Sequence, residues 1–344
     1  MNNFNVDIVT CLQLGDSGKG CVSNRFLELY KYKNVCKVNG GGNAGHSVYH
    51  NNQKYVLHYL NSGVFDKNAN IIIGPGCVIH IKKFLDEVEE FDKIFDIKKR
   101  LFVSYNTHIV TEECLEQDSK DSKIGTTKQG IGPTYAQKCL RIGIRAENIP
   151  ELNQYIFYPS TLLNQQDKFI GDILVEMSQG FYLDVDHGNY PYVTSSNCLP
   201  QHFFTTFGIP MKYCRDIIGV AKWYETYSGF ADNIVRASKE DEEIIREIGE
   251  EYGCTTGRSR RIGYLDIGKL IYAVKCTGTN VLIMKKMDIL EKVNIFKMYS
   301  EKNLYVYVTS EDFKNNFLDL IRKEFSANDL KIIFSNRADG KDIL

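Results

Sequence analysis

The chain opens with a run of β-branched and apolar residues that stops at a glycine-rich loop. Residues 6–12 read Val-Asp-Ile-Val-Thr-Cys-Leu, and the loop spans Gly15–Gly20. After the loop, apolar side chains recur at helical spacing, at Val22, Phe26, Leu29 and Tyr30. A strand, a glycine loop and then a helix is the order that opens a parallel α/β sheet.

Short apolar runs and amphipathic stretches alternate along the rest of the chain. Ile71–Ile73 predicts a strand that ends before Gly74-Pro75-Gly76, and a helix is predicted from Ile81 to about Lys98. Further strands are predicted at residues 172–176, 281–284, 304–308 and 330–334. The alternation favours an α/β fold with a mainly parallel central β-sheet, flanked by helices and carrying loop and helical insertions.

Two later helices carry sequence signals in their first turn. Ser310 is the predicted N-cap of a helix with apolar positions at Phe313, Phe317, Leu320, Ile321 and Phe325. Ser238 and Asp241 resemble a capping box, followed by apolar positions at Ile244, Ile245 and Ile248. Because acidic residues in a first turn favour the helix dipole, we interpret the acidic run 240–243 as a helix start rather than a metal site.

Length and composition are those of an ordinary globular enzyme. The chain has 344 residues, of which 43% are hydrophobic and 25% are charged. No linker-like tract, low-complexity run or internal repeat divides it, so we predict a single domain over residues 1–344. Lys plus Arg (42) nearly balances Asp plus Glu (43), which argues against a broad nucleic-acid-binding surface.

Three features favour a cytoplasmic location, which would be the host cytoplasm for a viral protein. The ten cysteines show no CxxC spacing, and we interpret them as reduced, mostly structural thiols. No basic region precedes a long apolar stretch at the N-terminus, so we expect no signal peptide. No run of ~18 apolar residues predicts a membrane span.

The loop Gly15-Asp16-Ser17-Gly18-Lys19-Gly20 is a candidate phosphate site, with a glycine-rich turn that carries incidental charge as the alternative. Glycines let the backbone approach an anion, helix N–H groups point toward it, and Lys19 adds a positive charge. It is not a Walker A loop, because Gly20 stands where a Ser or Thr would hold magnesium. An Asp in such a loop makes sense if a cation bridges it to phosphate or if the carboxylate takes a proton during the reaction.

Two further glycine clusters suggest close ligand approach. Gly40–His46 is dense enough in glycine to need special backbone geometry, and His46 within it is a candidate hydrogen-bond donor to a leaving group. Ile124–Pro133 offers hydroxyl groups and free amides for another phosphate. A flexible loop without a ligand is the alternative for the second of these clusters.

Two charged motifs point to the other ligands. Lys286-Met287-Asp288 follows a predicted strand, and a Lys-x-Asp pair at that place can read guanine through the carboxylate, although a helix-capping Asp is the alternative. Thr255–Arg261 contains three arginines beside two threonine hydroxyl groups. Because guanidinium forks bind carboxylates bidentately, this loop suits a small dicarboxylic substrate, with a solvated basic loop as the alternative.

Taken together and in this order, the motifs resemble the adenylosuccinate synthetase family. The resemblance extends from about residue 5 to 290 and is weak beyond that. The matching stretches are QLGDSGKG (Gln13–Gly20), GGGNAGHS (Gly40–Ser47), IGTTKQGIGP (Ile124–Pro133), SQGFYLDVDHGNYPYVTSSN (Ser178–Asn197), GCTTGRSRRIGYLD (Gly253–Asp266) and KKMDIL (Lys285–Leu290).

The resemblance implies a GTP- and Mg²⁺-dependent ligase that joins L-aspartate to C6 of a 6-oxopurine nucleotide through a 6-phosphoryl intermediate. The implied catalytic residues are Asp16 as the base, Lys19, His46 and Gln179. Magnesium would be held by Asp16 and the Gly45 carbonyl. The implied purine-nucleotide contacts are Asn43, Thr127, Arg141, Gln179, Thr194 and Arg258, with Arg141 reaching the neighbouring subunit of a homodimer. The implied aspartate contacts are Thr255, Thr256, Arg258 and Arg260. The implied GTP contacts are Gly15, Ser17, Gly18, Lys19, Gly20, Lys286, Asp288 and Ser335.

Departures from the family pattern leave the acceptor nucleotide open. Ser17 replaces a glutamate, Ser259 replaces an arginine, and residues 226–229 lack another arginine. Residues 198–200 and 207–210 are similar to phage relatives that aminate dGMP, whereas those relatives tend to lack both Asp16 and the Lys-x-Asp pair. Asp16 favours IMP, GMP or dGMP is the alternative, and a GTPase switch without ligase activity is a more distant one.

Overall fold

The structure is a computed structural model, and it describes residues 4–229, 234–253 and 257–343. The strands are β1 (Val6–Cys11), β2 (Asn34–Gly40), β3 (His46–His50), β4 (Gln53–Leu57), β5 (Asn70–Ile79), β6 (Leu101–Ser104), β7 (His108–Ile109), β8 (Ile156–Phe157), β9 (Ile173–Glu176), β10 (Cys214–Lys222), β11 (Tyr224–Tyr227), β12 (Arg261–Asp266), β13 (Val281–Lys285), β14 (Lys297–Ser300), β15 (Asn303–Val306) and β16 (Lys331–Ser335). The α-helices are α1 (Lys19–Tyr30), α2 (Ile81–Phe95), α3 (Glu112–Ser119), α4 (Ile131–Leu140), α5 (Pro159–Leu163), α6 (Gln201–Phe207), α7 (Lys239–Gly249), α8 (Ile267–Thr277), α9 (Met287–Val293) and α10 (Ser310–Glu324). Short 3-10 turns lie at Ser62–Phe65, Lys98–Arg100, Ala146–Asn148, Pro150–Tyr155, Asp167–Phe169, Phe181–Leu183 and Met211–Tyr213.

A ten-stranded sheet forms the centre of the molecule. Its order is β16-β13-β10-β1-β9-β2-β5-β6-β8, with β7 also paired to β5. Every strand pair recorded in this sheet is parallel. The predicted fold class is therefore confirmed, whereas the extent of the domain over residues 1–344 stays a prediction.

Helices cover both faces of the central sheet, which explains why the inner strands β1, β2 and β9 are buried at every residue rather than at alternate ones. All six residues of β1 are buried. Val9 belongs to a core cluster with Val22 and Leu27 of α1. Ile8, whose side chain points to the opposite face, belongs to a cluster with Phe203 and Phe207 of α6.

Two smaller sheets are inserted around this centre. The antiparallel hairpin β3–β4 follows β2 and carries His46 as its first residue. A four-stranded sheet of order β11-β12-β14-β15 follows β10. Its outer strand β15 is the predicted strand near residues 304–308, and all of its residues are exposed.

The predicted end of the strand at Gly74 is wrong, because β5 continues through Gly-Pro-Gly to Ile79. Proline removes a ladder donor, yet side chains from elsewhere bind the carbonyl groups here. Thr107 donates to the Gly74 carbonyl at 3.0 Å, Lys138 to the Pro75 carbonyl at 3.0 Å, and Tyr135 to the Gly76 carbonyl at 2.6 Å. A shift in β2–β5 pairing between Lys37 and Asn39 accommodates the interruption.

Two helix predictions need correction. The helix from Ile81 ends at Phe95 rather than near Lys98. The N-cap of α10 is Thr309, whose side chain accepts from the Asp312 amide, and Ser310 is the first helical residue.

On α7 the predicted Ser238 cap is confirmed, since it accepts from the Asp241 amide at 3.2 Å. Of its three predicted apolar positions only Ile245 is buried, while Ile244 and Ile248 are exposed.

The remaining whole-chain expectations concern thiols and membranes. The cysteines in the described part of the chain are free, and six of them are buried: Cys11, Cys21, Cys36, Cys77, Cys114 and Cys198. None of the helices within the described residues has the length and apolar character needed to cross a bilayer.

Candidate active site

The predicted motifs gather at one edge of the central sheet. Strands β1, β2, β9, β10 and β13 end at Cys11, Gly40, Glu176, Lys222 and Lys285. Because these strands are parallel and adjacent or nearly so, the loops that follow them share one side of the sheet. Ligands of open α/β sheets bind in the crevice outside these carboxyl ends.

The first glycine loop turns directly from β1 into α1. Gly15 and Gly18 adopt positive φ values of 89° and 87°, and Asp16 adopts 51°. A Cβ on Gly18 would lie 3.3 Å from the aliphatic side chain of Lys285. The loop thus needs glycine for its backbone conformation, and it opens the N-terminus of α1 as an anion site.

Ser17 and Lys19 of this loop are both buried. The Ser17 hydroxyl has no hydrogen-bond partner among the described residues. Lys19 donates from Nζ to the Gln179 carbonyl oxygen at 2.7 Å. The loop that follows β9 therefore fixes the cation that the sequence predicted for phosphate binding.

Gln179 has a positive φ of 58°, and only one of the two polar atoms of its side-chain amide has a hydrogen-bond partner among the described residues. Asn39 donates to its Oε1 at 3.2 Å, while its Nε2 is buried without a partner among the described residues. A buried amide donor without an acceptor costs free energy unless a ligand accepts from it. The predicted role of Gln179 in nucleotide binding stays a prediction that this geometry suits.

Asp16 and Arg260 lie in contact, although the sequence singled them out for separate reasons. Arg260 Nε is 2.9 Å from Asp16 Oδ2, with side-chain exposures of 8% for the arginine and 40% for the aspartate. Arg258 of the same basic loop donates to the Gly125 carbonyl oxygen at 3.4 Å. The basic loop thus touches both the first and the third glycine clusters. Thr255 and Thr256, also predicted here, lie outside the described residues.

A buried charge network behind Arg260 was missed in the sequence. Glu251 accepts from Arg260 Nη1 at 2.5 Å, from the Tyr224 hydroxyl at 2.7 Å and from Lys222 Nζ at 3.0 Å. Lys222 also donates to the Thr226 hydroxyl at 2.7 Å. Burial alone would raise the pKa of Glu251, but Lys222 and Arg260 outweigh it and hold that pKa at about 2. The signal in the sequence that could have indicated this network was Lys222, a lysine at the end of the apolar run that forms the buried part of β10.

His46 is held by a second buried carboxylate that the sequence did not reveal. Its Nδ1 hydrogen-bonds to Glu176 Oε1, and the Ser62 amide donates to Glu176 Oε2 at 3.1 Å. Burial would raise the pKa of Glu176, but His46 and the Ser62 amide bring it down to about 2. Because the Glu176 carboxylate is ionised, Nδ1 carries the proton of this hydrogen bond, and Nε2 donates to a ligand when the imidazole is protonated there as well.

The second glycine cluster is dense because other chain segments approach it closely. A Cβ on Gly41 would lie 2.4 Å from the Val78 carbonyl oxygen, and one on Gly42 would lie 2.4 Å from the Tyr59 hydroxyl. Asn43 Oδ1 accepts from the Gly41 amide at 3.1 Å, which folds the loop back on itself. Packing alone therefore explains these glycines, and the nucleotide contact of Asn43 stays a prediction.

The loop before α4 contains the third cluster. Gly130 is the N-cap of α4, and its amide donates to Asp118 Oδ2 at 2.8 Å. Thr127, three residues earlier, is half-buried, and its carbonyl oxygen accepts from Gln129 Nε2 at 3.4 Å. The Gly130 amide is thus engaged within the protein, and phosphate binding by this loop, with its contact from Thr127, stays a prediction.

Residues 178–197 include an acidic motif with a structural role. Buried Asp184 accepts from the amides of Asp186 and His187, at 2.9 and 3.2 Å, and from the amide of Cys198. Thr194 is half-buried, and its amide donates to the Leu183 carbonyl oxygen at 2.8 Å. The aspartate therefore shapes the loop that carries Thr194.

Arg141 lies apart from this cluster in its own chain. It is the C-cap of α4, whereas Gly130 caps the other end of the same helix. At a rise of about 1.5 Å per residue, the two ends are about 15 Å apart. Arg141 is exposed, and its neighbours Leu140 and Ile142 are 65% and 68% exposed.

The predicted guanine-reading pair lies where β13 enters α9. Lys286 has a positive φ of 72° at the N-cap and donates to the Gly249 carbonyl oxygen at 3.5 Å. Asp288 Oδ1 is buried without a partner among the described residues. Ser335, at the end of β16, donates to Asp342 at 2.7 Å and accepts from Lys285 at 3.2 Å. Of the three predicted groups, Asp288 is the one whose polar atom still lacks a partner.

A metal site made of protein side chains alone does not occur within the described residues, since no three His, Cys, Asp or Glu side chains converge. Mg²⁺ is usually held by one or two carboxylates together with substrate phosphates. The Asp16 carboxylate, which is 40% exposed beside a helix N-terminus, is a hard oxygen donor of this kind. The donor set therefore fits magnesium that arrives with a nucleotide.

A parallel sheet with a glycine loop at a helix start and a basic loop beside it defines a nucleotide-binding α/β protein. The family model of adenylosuccinate synthetase matches residues 8–155 and 146–316. The chain belongs to the adenylosuccinate synthetase family, and it is a ligase that forms a C–N bond.

Individual relatives agree with this assignment. The adenylosuccinate synthetase of Chlorobaculum tepidum is 34% identical over 340 residues, covering 83% of this chain and 77% of the relative. That of Thermosipho africanus is 34% identical over 348 residues, covering 89% and 86%. That of Mycoplasma mycoides is 32% identical over 355 residues, covering 88% and 81%.

Two solved structures share the fold. The fully ligated adenylosuccinate synthetase of Plasmodium falciparum superimposes with a TM-score of 0.86 at 26% identity, covering 98% of this chain and 99% of that one. The succinoaminodeoxyadenylate synthetase of cyanophage S-2L, bound to dGMP and dATP, gives a TM-score of 0.68 at 19% identity, covering 93% and 100%. The second likeness concerns the fold alone.

Proposed function

We propose that this protein uses GTP and Mg²⁺ to join L-aspartate to C6 of IMP, which gives adenylosuccinate. The observation that carries the proposal is the contact between Asp16 and Arg260. It puts a candidate proton acceptor and a candidate carboxylate receptor side by side. The first lies on the glycine loop and the second on the basic loop.

In the first step Asp16 takes the proton from N1 of the purine, and O6 attacks the γ-phosphorus of GTP. The bond from that phosphorus to the β–γ bridging oxygen breaks, and GDP leaves. Lys19 and His46 stabilise the charge that develops on the leaving oxygen. Glu176 supports this role because it holds the imidazole in one orientation through Nδ1.

In the second step the amine of aspartate attacks C6, and the C6–O6 bond breaks with release of phosphate. Arg258 and Arg260 bind the carboxylates of the amino acid, with Thr255 and Thr256 in the same loop. The unpartnered Nε2 of Gln179 suits a donor to the purine nucleotide, together with Asn43, Thr127 and Thr194.

Magnesium, held by Asp16 and the Gly45 carbonyl together with phosphate oxygens, would neutralise charge on the triphosphate. The glycine loop, Gly15–Gly20, binds the phosphates through its amides. Asp288 accepts from guanine N1–H and N2–H, a use that its buried and unpartnered oxygen supports. Lys286 and Ser335 complete the base site.

The test is turnover of purified protein with GTP, Mg²⁺ and aspartate on an equal mixture of IMP and dGMP, with products resolved by mass spectrometry. We expect adenylosuccinate, because Asp16 is retained. Turnover on dGMP but not on IMP would assign the acceptor to the alternative instead. Phosphate release that does not depend on aspartate would overturn the ligase assignment in favour of a GTPase switch.

We also propose a homodimer in which Arg141 contacts the purine nucleotide of the neighbouring subunit. The exposed apolar side chains of Leu140, Ile142 and Ile144 around it suit a protein interface. Mixing inactive Arg141→Ala with inactive Asp16→Asn tests this arrangement, because a mixed dimer would hold one intact site. Recovery of activity on subunit exchange is expected, and no recovery from demonstrably mixed dimers would contradict it.

A cytoplasmic location is part of the same proposal. The free thiols among the described residues support it, since they suit a reducing compartment.

A further inference from the structure

We propose that Glu251 is a positioning residue that sets the guanidinium of Arg260 for the carboxylate of the amino-acid substrate. This inference rests on the proposed function. Glu251 itself touches neither substrate nor metal in the scheme above. Its effect is exerted through Arg260.

The backbone joins these two residues at the base of the basic loop. The Arg260 amide donates to the Glu251 carbonyl oxygen at 2.9 Å, and Tyr252 forms an antiparallel bridge with Ser259. Further out, the Gly253 amide donates to the Arg258 carbonyl oxygen at 2.8 Å. The loop is therefore a hairpin whose stem is formed by residues 251–253 and 258–260.

Side chains strengthen the same base. Arg260 Nη1 lies 2.5 Å from Glu251 Oε2, while Lys222 and Tyr224 both donate to the other oxygen, Oε1. Both oxygens of the carboxylate are thus engaged. Lys222 and Tyr224 hold the Glu251 side chain in place independently of Arg260. Only 2% of the Glu251 side chain is exposed.

The two carboxylates that contact Arg260 differ in their access to solvent. Glu251 is fully enclosed, whereas the Asp16 side chain is 40% exposed. Of these two sides, a substrate carboxylate can therefore reach the guanidinium from the Asp16 side and not from the Glu251 side. Glu251 is the permanent partner of Arg260, and the Asp16 contact is the exchangeable one.

Charge balance gives Glu251 a second effect on the same group. Lys222 and Arg260 are both buried, and Glu251 lies between them. Without the negative charge, the two cations would repel each other across a weakly screened interior. The Arg260 guanidinium would then move away from Lys222 and lose the orientation that it has in this structure.

The experiment compares Glu251→Gln with Glu250→Gln in steady-state kinetics of the full-length protein. Glu250 is the adjacent, exposed residue at the end of α7 and serves as a matched control. We expect the KM for L-aspartate to rise about tenfold or more in Glu251→Gln, because a hydrogen bond between charged groups is lost. The KM values for IMP and GTP should stay within about twofold, and the control should match the wild type.

A double variant keeps the test independent of folding. Glu251→Gln with Lys222→Met removes the negative charge together with one of its cations, so the interior stays balanced if the single variant fails to fold. It should show the same selective rise in KM for aspartate. A far-ultraviolet circular dichroism spectrum and unfolding temperature accompany each kinetic measurement.

Two results would overturn the inference. One is a folded variant with an unchanged KM for aspartate, and the other is a rise of equal size in the KM values of all three substrates. Failure of the proposed function looks different, because the wild-type protein would then show no aspartate-dependent turnover at all.

Discussion

We expect Glu225 to make the stability of this protein depend on pH near neutrality. It lies on β11 between Tyr224 and Thr226, whose side chains join the Glu251 network, so its own side chain points to the opposite face. It is 2% exposed, and its Oε2 has no partner among the described residues. Burial raises the pKa of Glu225 to about 7, with Lys269 opposing the rise and Asp266 adding to it.

The size of the effect follows from that pKa. The ordinary value is 4.5, so the folded state raises it by about 2.5 units, and each unit corresponds to about 1.36 kcal/mol. Between about pH 4.5 and pH 7 the folded state binds the proton more tightly than the unfolded state does. Folding stability therefore falls as the pH rises through this range, by about 3 kcal/mol in total.

The perturbation is Glu225→Gln, which removes the titration and keeps the shape. Urea unfolding of both proteins at pH 5 and pH 8 gives the difference in unfolding free energy at each pH. Any change in unfolding free energy that the amide causes equally at both pH values cancels when the differences at pH 5 and pH 8 are compared. Relative to the wild type, we expect the unfolding free energy of the variant to increase by about 2 to 3 kcal/mol between pH 5 and pH 8.

Glu243→Gln on the exposed face of α7 is the control, and its difference from the wild type should not change with pH. The reasoning is refuted if Glu225→Gln shows the same difference at both pH values. It is also refuted if the sign is reversed, since that would mean that the folded state favours the ionised carboxylate.

Four further predictions concern the site. Asp16→Asn should keep IMP binding, measured by calorimetry, and lower kcat at least about 100-fold because the general base is lost; substantial residual turnover would show that Asp16 is not the base. Asp288→Asn should lower the preference for GTP over ATP in kcat/KM by about tenfold, since one charged acceptor is lost; a wild type that uses both nucleotides equally would contradict the assignment. Gly18→Ala should destabilise the protein by about 1 to 2 kcal/mol in thermal unfolding, because its φ is 87° and the new methyl group meets Lys285 at 3.3 Å; an unchanged melting temperature would argue against this backbone. Glu176, whose pKa lies at about 2 against an ordinary 4.5, should contribute stability above about pH 4.5 that is lost as the pH falls toward 2; in Glu176→Gln this part of the acid transition should disappear, and an unaltered transition would contradict the contact with His46.

Local pattern was enough to predict the framework and the candidate chemistry. The buried run before Gly15, the helical spacing from Val22 and the apolar strands near residues 173 and 281 all appear as β1, α1, β9 and β13. These signals succeed because a strand buried on both faces and an amphipathic helix each leave a local pattern of apolar residues. The glycine and arginine motifs are also recognisable locally, because phosphates and carboxylates restrict the residues that can approach them, but their ligand-binding roles stay predictions.

Pairing partners and buried charges were decided only by the tertiary structure. Nothing local indicates that β1 lies between β9 and β10, because the order of parallel strands depends on crossovers between distant segments. The continuation of β5 past Gly74 depends on Thr107, Tyr135 and Lys138, whose side chains replace the missing ladder contacts.

The same reason separates the residues that were found at the site from those that were missed. Asp16 and Arg260 stand in recognisable loops, so the sequence revealed each of them but not their contact. Glu176 and Glu251 look like ordinary acidic residues at the ends of a strand and a helix. Only burial beside His46 and Arg260 turns them into the groups that orient the site, and burial is a property of the folded chain rather than of any short stretch of it.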